Sequence, residues 1–190
     1  MAELKIFYKD KDKDKIKVGR SVNILNSLDK SDIIWIDLLD VSDRTEGVLE
    51  DFLKIDIQED EEMEEIEMSS RYIQTDDSIV ANSNFLRDNF EVEPVNFILK
   101  NSILVTTRDV ELASFNETVK KMLVNTRNFP TGYHVLVSLM ETRVEKDADM
   151  IEDTTDLITK LSGEINAKDH VDEEVLIQIK DLQEKVTIIR

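Results

Sequence analysis

The sequence contains no cysteine. That excludes a disulfide framework and any thiolate metal site, and it permits a reducing compartment. Glycine is scarce, with four residues, and proline scarcer, with two. Neither GxxxxGK[ST] nor GxSxG occurs, so there is no phosphate-cradling loop and no nucleophile elbow. The two histidines, His134 and His170, stand on unrelated segments, and neither HxxxH nor HExxH is present. Without cysteine, this pattern disfavours a zinc enzyme. Bases are outnumbered, 24 against 42 acids, for a formal net charge of −18. A nucleic-acid partner is therefore disfavoured, because phosphate binding rests on clustered Lys and Arg. A divalent cation or a basic protein surface suits the charge better. No apolar run approaches the roughly 18 residues that a bilayer span needs. The N-terminus "MAELKIFYKD" has no apolar signal core.

What is present is a sizeable apolar fraction, 41% of the 190 residues, enough for a packed core. The chain falls into two unlike parts. Up to about residue 108 it carries strand signals; beyond, it reads almost wholly as helix. "LKIFYK" and "KIKV" are short β-type runs separated by a charged loop. "IIWIDL", Ile33 to Leu38, is a continuous apolar run that suits a strand buried on both faces, with Trp35 as a core residue. Ser42 is placed as an N-cap, and Val48, Leu49, Phe52 and Leu53 follow at helical spacing up to Ile55. Further β-type segments are "RYIQT", "SIVANSNFL", "VNFILK" and "SILVTT", the last two joined by a tight turn at Lys100-Asn101. The expected fold is α/β (α+β): a mixed sheet between helix layers over residues 1–130, then an antiparallel helical hairpin over 131–190.

A short amphipathic helix is expected from Glu117 to Thr126, broken at Pro130 and Gly132. From Tyr133 onward, Val137, Val144, Ile151, Ile158 and Ile165 recur every seven residues. Met140, Asp147, Thr154 and Leu161 fill a second seam position, a heptad stripe with polar interruptions. Asp172 is a plausible cap for a second helix bearing Val175, Ile179, Leu182, Val186 and Ile189. Val144, Ile151 and Ile158 are expected to face that second stripe, with Glu145 and Glu152 in solvent. The first helix, about 33 residues, would be much longer than the second, about 19. That mismatch suggests a chain that continues past Arg190.

The densest feature is "EDEEMEEIEMSSRY", Glu59 to Tyr72. Seven of its first nine residues are acids. From Asp40 to Glu67 there are 13 acids and two bases. Like charges at i,i+4 disfavour such a helix, but Met63 and Ile66 give it one apolar side. Two readings stand: a docked surface helix whose acids are solvated, or a hard-cation site. Mg2+ uses only one or two carboxylates and keeps several waters, so it leaves no strict spacing to recognise. The pattern is not an EF-hand. The acids along the long helix pose the same choice. Nothing assembles a nucleophile with a base, so the residues read as a non-catalytic domain.

In order, "IIWIDLLDVSD", "LEDFLKIDI", "EEMEEIEMSSRY", "VNFILKNSILVTTRD" and "YHVLVSLMETRVEKDADMIEDTTDLITKLSGEI" resemble the cytoplasmic N-terminal domain of CorA-type magnesium and divalent-cation transporters. The resemblance covers nearly the whole chain. It implies a mixed-sheet domain, a pair of acidic "willow" helices from Tyr133 and Asp172, and then a stalk helix and two membrane spans that this sequence lacks. It implies a homopentamer at the cytoplasmic face of the cell (inner) membrane, with this piece alone soluble and monomeric or weakly associated. Regulatory Mg2+ bound between neighbouring domains would hold the channel closed. Anchored on Arg71, Glu64 and Glu65 match the family's sensor carboxylates, Glu65 standing where the better-known one is aspartate. Anchored on "VSLMET", Glu141 matches a further acid. The cargo implied is magnesium, cobalt or nickel. The alternatives are a zinc-exporting relative, an interaction module built on the acidic hairpin, and, least favoured, a carboxylate-metal hydrolase.

Overall fold

The computed structural model describes residues 2–10, 15–57, 72–75, 77–87, 89–167 and 173–189. Its centre is a seven-stranded mixed sheet. The strands are β1 (Glu3–Asp10), β2 (Lys15–Gly19), β3 (Ile33–Leu39), β4 (Tyr72–Gln74), β5 (Ser78–Leu86), β6 (Val92–Lys100) and β7 (Ile103–Arg108). They lie in the order β2-β1-β3-β7-β6-β5-β4. Only β3 and β7 run parallel; every other neighbouring pair is antiparallel. That parallel pair occupies the middle, with helices over both faces. All seven residues of β3 are buried, as its unbroken apolar run requires. A bulge where β1 meets β3, between Phe7 and Tyr8, interrupts the alternation of faces.

Among the described residues the α-helices are α1 (Asp43–Leu53), α2 (Ala113–Val124), α3 (Gly132–Ala167) and α4 (Glu173–Ile189). One sheet face packs Ile36, Leu38, Ile98 and Val105 against Leu49 and Leu53 of α1 and against Leu25 from a 3-10 turn. The other face packs Trp35, Phe97 and Leu104 against Phe115 and Met122 of α2 and Val135 and Leu139 of α3. Trp35 stacks on Phe7 with ring centroids 4.7 Å apart. The mixed sheet between helix layers is thus present, followed by the long helix and its shorter partner.

Several local expectations need correction. The β6–β7 turn is Asn101-Ser102, one residue later than expected, because Lys100 pairs with Ile103. Both turn residues have positive φ, 50° and 67°, the type I′ geometry that matches strand twist. Helix α1 stops at Leu53, where Lys54 turns left-handed at φ 58°. Ser42 holds the cap position, but its hydroxyl meets that of Thr45 at 3.4 Å instead of a helix amide. Helix α2 starts at Ala113, before Glu117, so that Phe115 reaches the core.

The largest correction concerns the hairpin. Val144, Ile151 and Ile158 are 66%, 49% and 42% exposed, whereas Thr154 and Leu161 are buried. Leu161 of the second seam and Ile165, the last residue of the first, meet Val175, Ile179 and Leu182 of α4, so only the end of the first stripe takes part in the contact. The reason lies at the start of α3. Its first turns must point Val135, Leu139 and Thr142 at the sheet and α2, which sets the rotation of everything after. Glu145 and Glu152 are exposed, as expected. The cap assigned to Asp172 lies outside the described residues.

Candidate functional site

Glu64 and Glu65, with the rest of the acidic run, lie outside the described residues. The structure shows what flanks the run. At its start, the C-terminus of α1 is held by two lysines from elsewhere. Lys30 donates to the Phe52 carbonyl, its ammonium 4.8 Å from the Phe52 ring centroid. Lys100 donates to the Lys54 carbonyl at 2.7 Å and pairs with Asp77 at 2.9 Å. Cations there satisfy orphan carbonyls and oppose the negative end of the helix dipole. The Lys100 hydrogen bond and charge hold the Asp77 carboxyl below the usual aspartate range. After α1, Glu50 Oε1 accepts from the Ile57 amide at 2.8 Å, and Ile57 is buried in the α1-side core. Beyond the run, β4 pairs with β5 through Tyr72 and Ala81.

Glu141 is exposed on α3. It borders a cleft shared with Lys121 of α2 and the capping Asn125 after it, with Phe129, and with Tyr133 and His134 of α3. Around it, charges are already paired. Lys121 reaches Glu145 at 3.0 Å and the Thr142 hydroxyl at 3.0 Å. Lys146 meets Glu117 at 3.5 Å, and Arg143 meets Asp147 at 3.4 Å. His134 and Glu141 stand seven residues apart on one helix, about 10 Å along its axis, so they cannot share one ion. Among the described residues no group of three or more His, Asp or Glu side chains could hold a metal. Glu141 therefore offers a single carboxylate. That is sufficient for a largely hydrated Mg2+ only if other donors join it.

The residues also form a polar cluster that the sequence reading passed over. Asp37, the one charged residue of β3, accepts from Arg108 Nε at 3.1 Å and Nη2 at 2.8 Å. The Thr106 hydroxyl donates to Asp37 at 2.9 Å and accepts from the Trp35 indole at 3.0 Å. The guanidinium also lies 4.5 Å from the Phe115 ring centroid. Both charged side chains are at most 2% exposed. The bidentate pair, with Arg108 Nη1 also donating to the Val110 carbonyl, ties the two parallel strands together under α2. The signal in the sequence was an aspartate inside an apolar run, with an arginine ending the other central strand. The cluster is closed to solvent, so it is a structural clamp. Elsewhere Thr131 and His134 Nδ1 meet at 2.9 Å, a local contact at the start of α3.

Among the described residues no helix is long and apolar enough to cross a membrane. A family model described as "CorA-like Mg2+ transporter protein" matches residues 30–190. A magnesium transport protein CorA from Wolinella succinogenes is 35% identical over 162 residues, 81% of this chain and 50% of that protein. The chain thus spans about half the length of the curated relatives it matches. Its fold is shared with two solved structures of low identity. The full-length CmaX protein aligns at TM-score 0.75 and 11% identity, over 99% of this chain and 59% of that one. The complete CorA magnesium transporter of Methanocaldococcus jannaschii aligns at TM-score 0.62 and 15% identity, over 97% and 57%.

Proposed function

We propose, given that the chain belongs to the CorA-like Mg2+ transporter family, that it is the regulatory, cation-sensing domain of a divalent-cation transporter. In this reading it sits at the cytoplasmic face of the membrane, performs no catalysis, and serves a homopentamer that carries magnesium, or cobalt or nickel. The observation that supports it most is the 35% identity to a magnesium transport protein along 81% of the chain. The chemistry agrees. A domain of net charge −18, with 13 acids between Asp40 and Glu67, suits a hard, oxygen-seeking cation. No histidine or cysteine set competes for a softer metal.

Glu64, Glu65 and Glu141 are the residues assigned to the cation. Each supplies one carboxylate, and a neighbouring subunit or a further segment supplies the rest. Bound Mg2+ would relieve repulsion between acidic surfaces, favouring the assembly in which the site is complete. A coupling of about 1–3 kcal/mol per site is enough, because equivalent sites in an oligomer act together. The chain alone, with incomplete sites, would then be a monomer or a weak oligomer in chelator.

Reconstitution of the complete transporter in proteoliposomes tests this reading. Glu64→Ala combined with Glu65→Ala should preserve transport and weaken inhibition by internal Mg2+. Inhibition at the wild-type Mg2+ concentration would remove these two residues from the sensor. A tight pentamer of the chain in chelator, seen by sedimentation, would contradict the role given to the cation.

A further inference from the structure

The charge of the chain is unevenly placed. Residues 1–20 carry seven bases and four acids, whereas the remaining 170 residues carry 17 bases and 38 acids. The basic stretch forms the antiparallel pair β1 and β2 at one end of the sheet. The family match begins at residue 30, so this pair lies outside it. β2 is the end strand: it neighbours β1, and among the described residues no strand lies on its far side. A row of backbone amides and carbonyls therefore faces outward there.

Register fixes the chemistry of this edge. Lys17 stands opposite Tyr8, which packs on the α1-side core, so Lys15 and Lys17 share that face. Ile16 and Val18 point the other way and pack against the α2-side core. Lys15 is exposed and has no ionic partner among the described residues. Lys17 pairs with Asp10 at 2.9 Å, yet its side chain stays 53% exposed. At the Lys15 end a cleft of about 460 Å³ opens beside the edge, lined by Lys9, Ile16, Arg127 and Pro130 among others. The edge thus presents bases on one face and half-buried apolar residues on the other, at strand spacing.

We infer that the β2 edge is the docking site for an extended segment of a partner protein, one that alternates acidic and apolar residues and adds to the sheet as a further strand. Its backbone would continue the ladder beyond β2. Its acids would stand beside Lys15 and Lys17, and its apolar residues beside Ile16 and Val18. Lysines on an edge strand discourage indiscriminate pairing, and for the same reason they select an acidic strand. Charge also selects this occupant over a second copy joined edge to edge, because two β2 strands side by side would set lysine against lysine.

The test titrates the full chain with fluorescent peptides of about eight residues, a common strand length. One alternates glutamate with valine, one alternates lysine with valine, and a third is the glutamate peptide N-methylated along its backbone. By fluorescence anisotropy the glutamate peptide should bind at least about tenfold more tightly than the lysine peptide, and the gap should narrow at high salt. N-methylation should abolish binding, because it removes the donors that a ladder needs. The bound glutamate peptide should slow amide hydrogen exchange in β2. Lys15→Glu, at an exposed position without an ionic partner, should weaken its binding by about fivefold or more while Trp35 emission stays native. The inference fails if the glutamate peptide does not bind at about 1 mM. It fails equally if the two unmodified peptides bind alike, if N-methylation changes nothing, or if Lys15→Glu binds as wild type. Binding that leaves exchange in β2 unchanged would place the peptide elsewhere and overturn it too. A chain that sediments as a dimer, with exchange in β2 slowed as concentration rises, would assign the edge to a second copy instead.

Discussion

Gly132→Ala adds one methyl group at the point where α3 meets the sheet. An added Cβ would stand 2.3 Å from the Leu104 amide nitrogen, 2.8 Å from the Ile103 carbonyl carbon and 2.9 Å from the Ile34 carbonyl oxygen. All three are backbone atoms of the two central strands, so no rotamer change can make room. The Gly132 amide also donates to the Ser102 carbonyl at 2.7 Å, which holds the helix start against the β6–β7 turn. Relief requires the helix to retreat by roughly 1 Å, and fully buried Val135 and Leu139 move with it. Overpacking of this kind costs about 1–3 kcal/mol, and a rigid backbone neighbour on every side places this site at the upper end. The helix-propensity gain of alanine, at most about 1 kcal/mol, offsets part of that. The expected net loss is about 2 kcal/mol, which for this chain length lowers Tm by about 4–8 °C. Urea denaturation followed by Trp35 fluorescence reads it directly, since the single tryptophan is buried in the affected core. Gly47→Ala is the control: nothing lies within 4 Å of its added Cβ, and α1 should gain up to about 1 kcal/mol. A Gly132→Ala protein within about 0.5 kcal/mol of wild type would refute the close-approach argument.

Three further outcomes are expected. Asp37→Ala should cost about 3–5 kcal/mol in urea denaturation, because it leaves the Arg108 guanidinium buried and unpaired, and Asp37→Leu with Arg108→Met should recover most of the loss. In the α3–α4 hairpin, Leu161→Ala should destabilise by about 2–4 kcal/mol and the half-exposed Ile151→Ala by less than about 1, read from local hydrogen exchange. The Lys5 hydrogen bond, with Arg20 nearby, holds the Glu3 carboxyl below the usual glutamate range. Its stabilisation is therefore present above the ordinary glutamate pKa and lost as pH falls through the lowered one, so Glu3→Gln should be less stable than wild type at pH 7 and equal to it at about pH 2.

Much of the sheet was legible because its strands carry strong local signals. The Ile33 to Leu38 run is of strand length and suits a buried strand, and β3 is a central strand, buried throughout, that pairs in parallel with β7. The hairpins were legible to within a residue. The β6–β7 turn slipped because Asn and Ser both tolerate positive φ, and the strand boundary depends on which pair closes the ladder. The Asp37–Arg108 clamp was not legible. Its partners are 71 residues apart, and only the parallel register of β3 on β7 brings them together. The candidate cation residues are legible only in part. The density of carboxylates can be read locally, but the donors that would complete a site around Glu141 are not its neighbours in sequence or, among the described residues, in space.

The misread hairpin shows why a heptad pattern is less informative than it looks. Period alone says that a helix has an apolar stripe; it does not say which element covers it. Helix α3 carries three apolar sets in succession around its circumference. Val135 and Leu139 meet the sheet, Leu161 and Ile165 meet α4, and Val144, Ile151 and Ile158 lie between these two groups along the helix and stay 42% to 66% exposed. Heptad spacing alone assigns the most regular of the three to the hairpin contact. Yet contact with the sheet is made first along the chain and is the least negotiable, since Gly132 admits no sideways shift and Thr142 is buried beneath α2. Once that end is pinned, a rigid helix delivers each later residue at a set angle of about 100° per step. The regular stripe then falls on the open side of the helix pair.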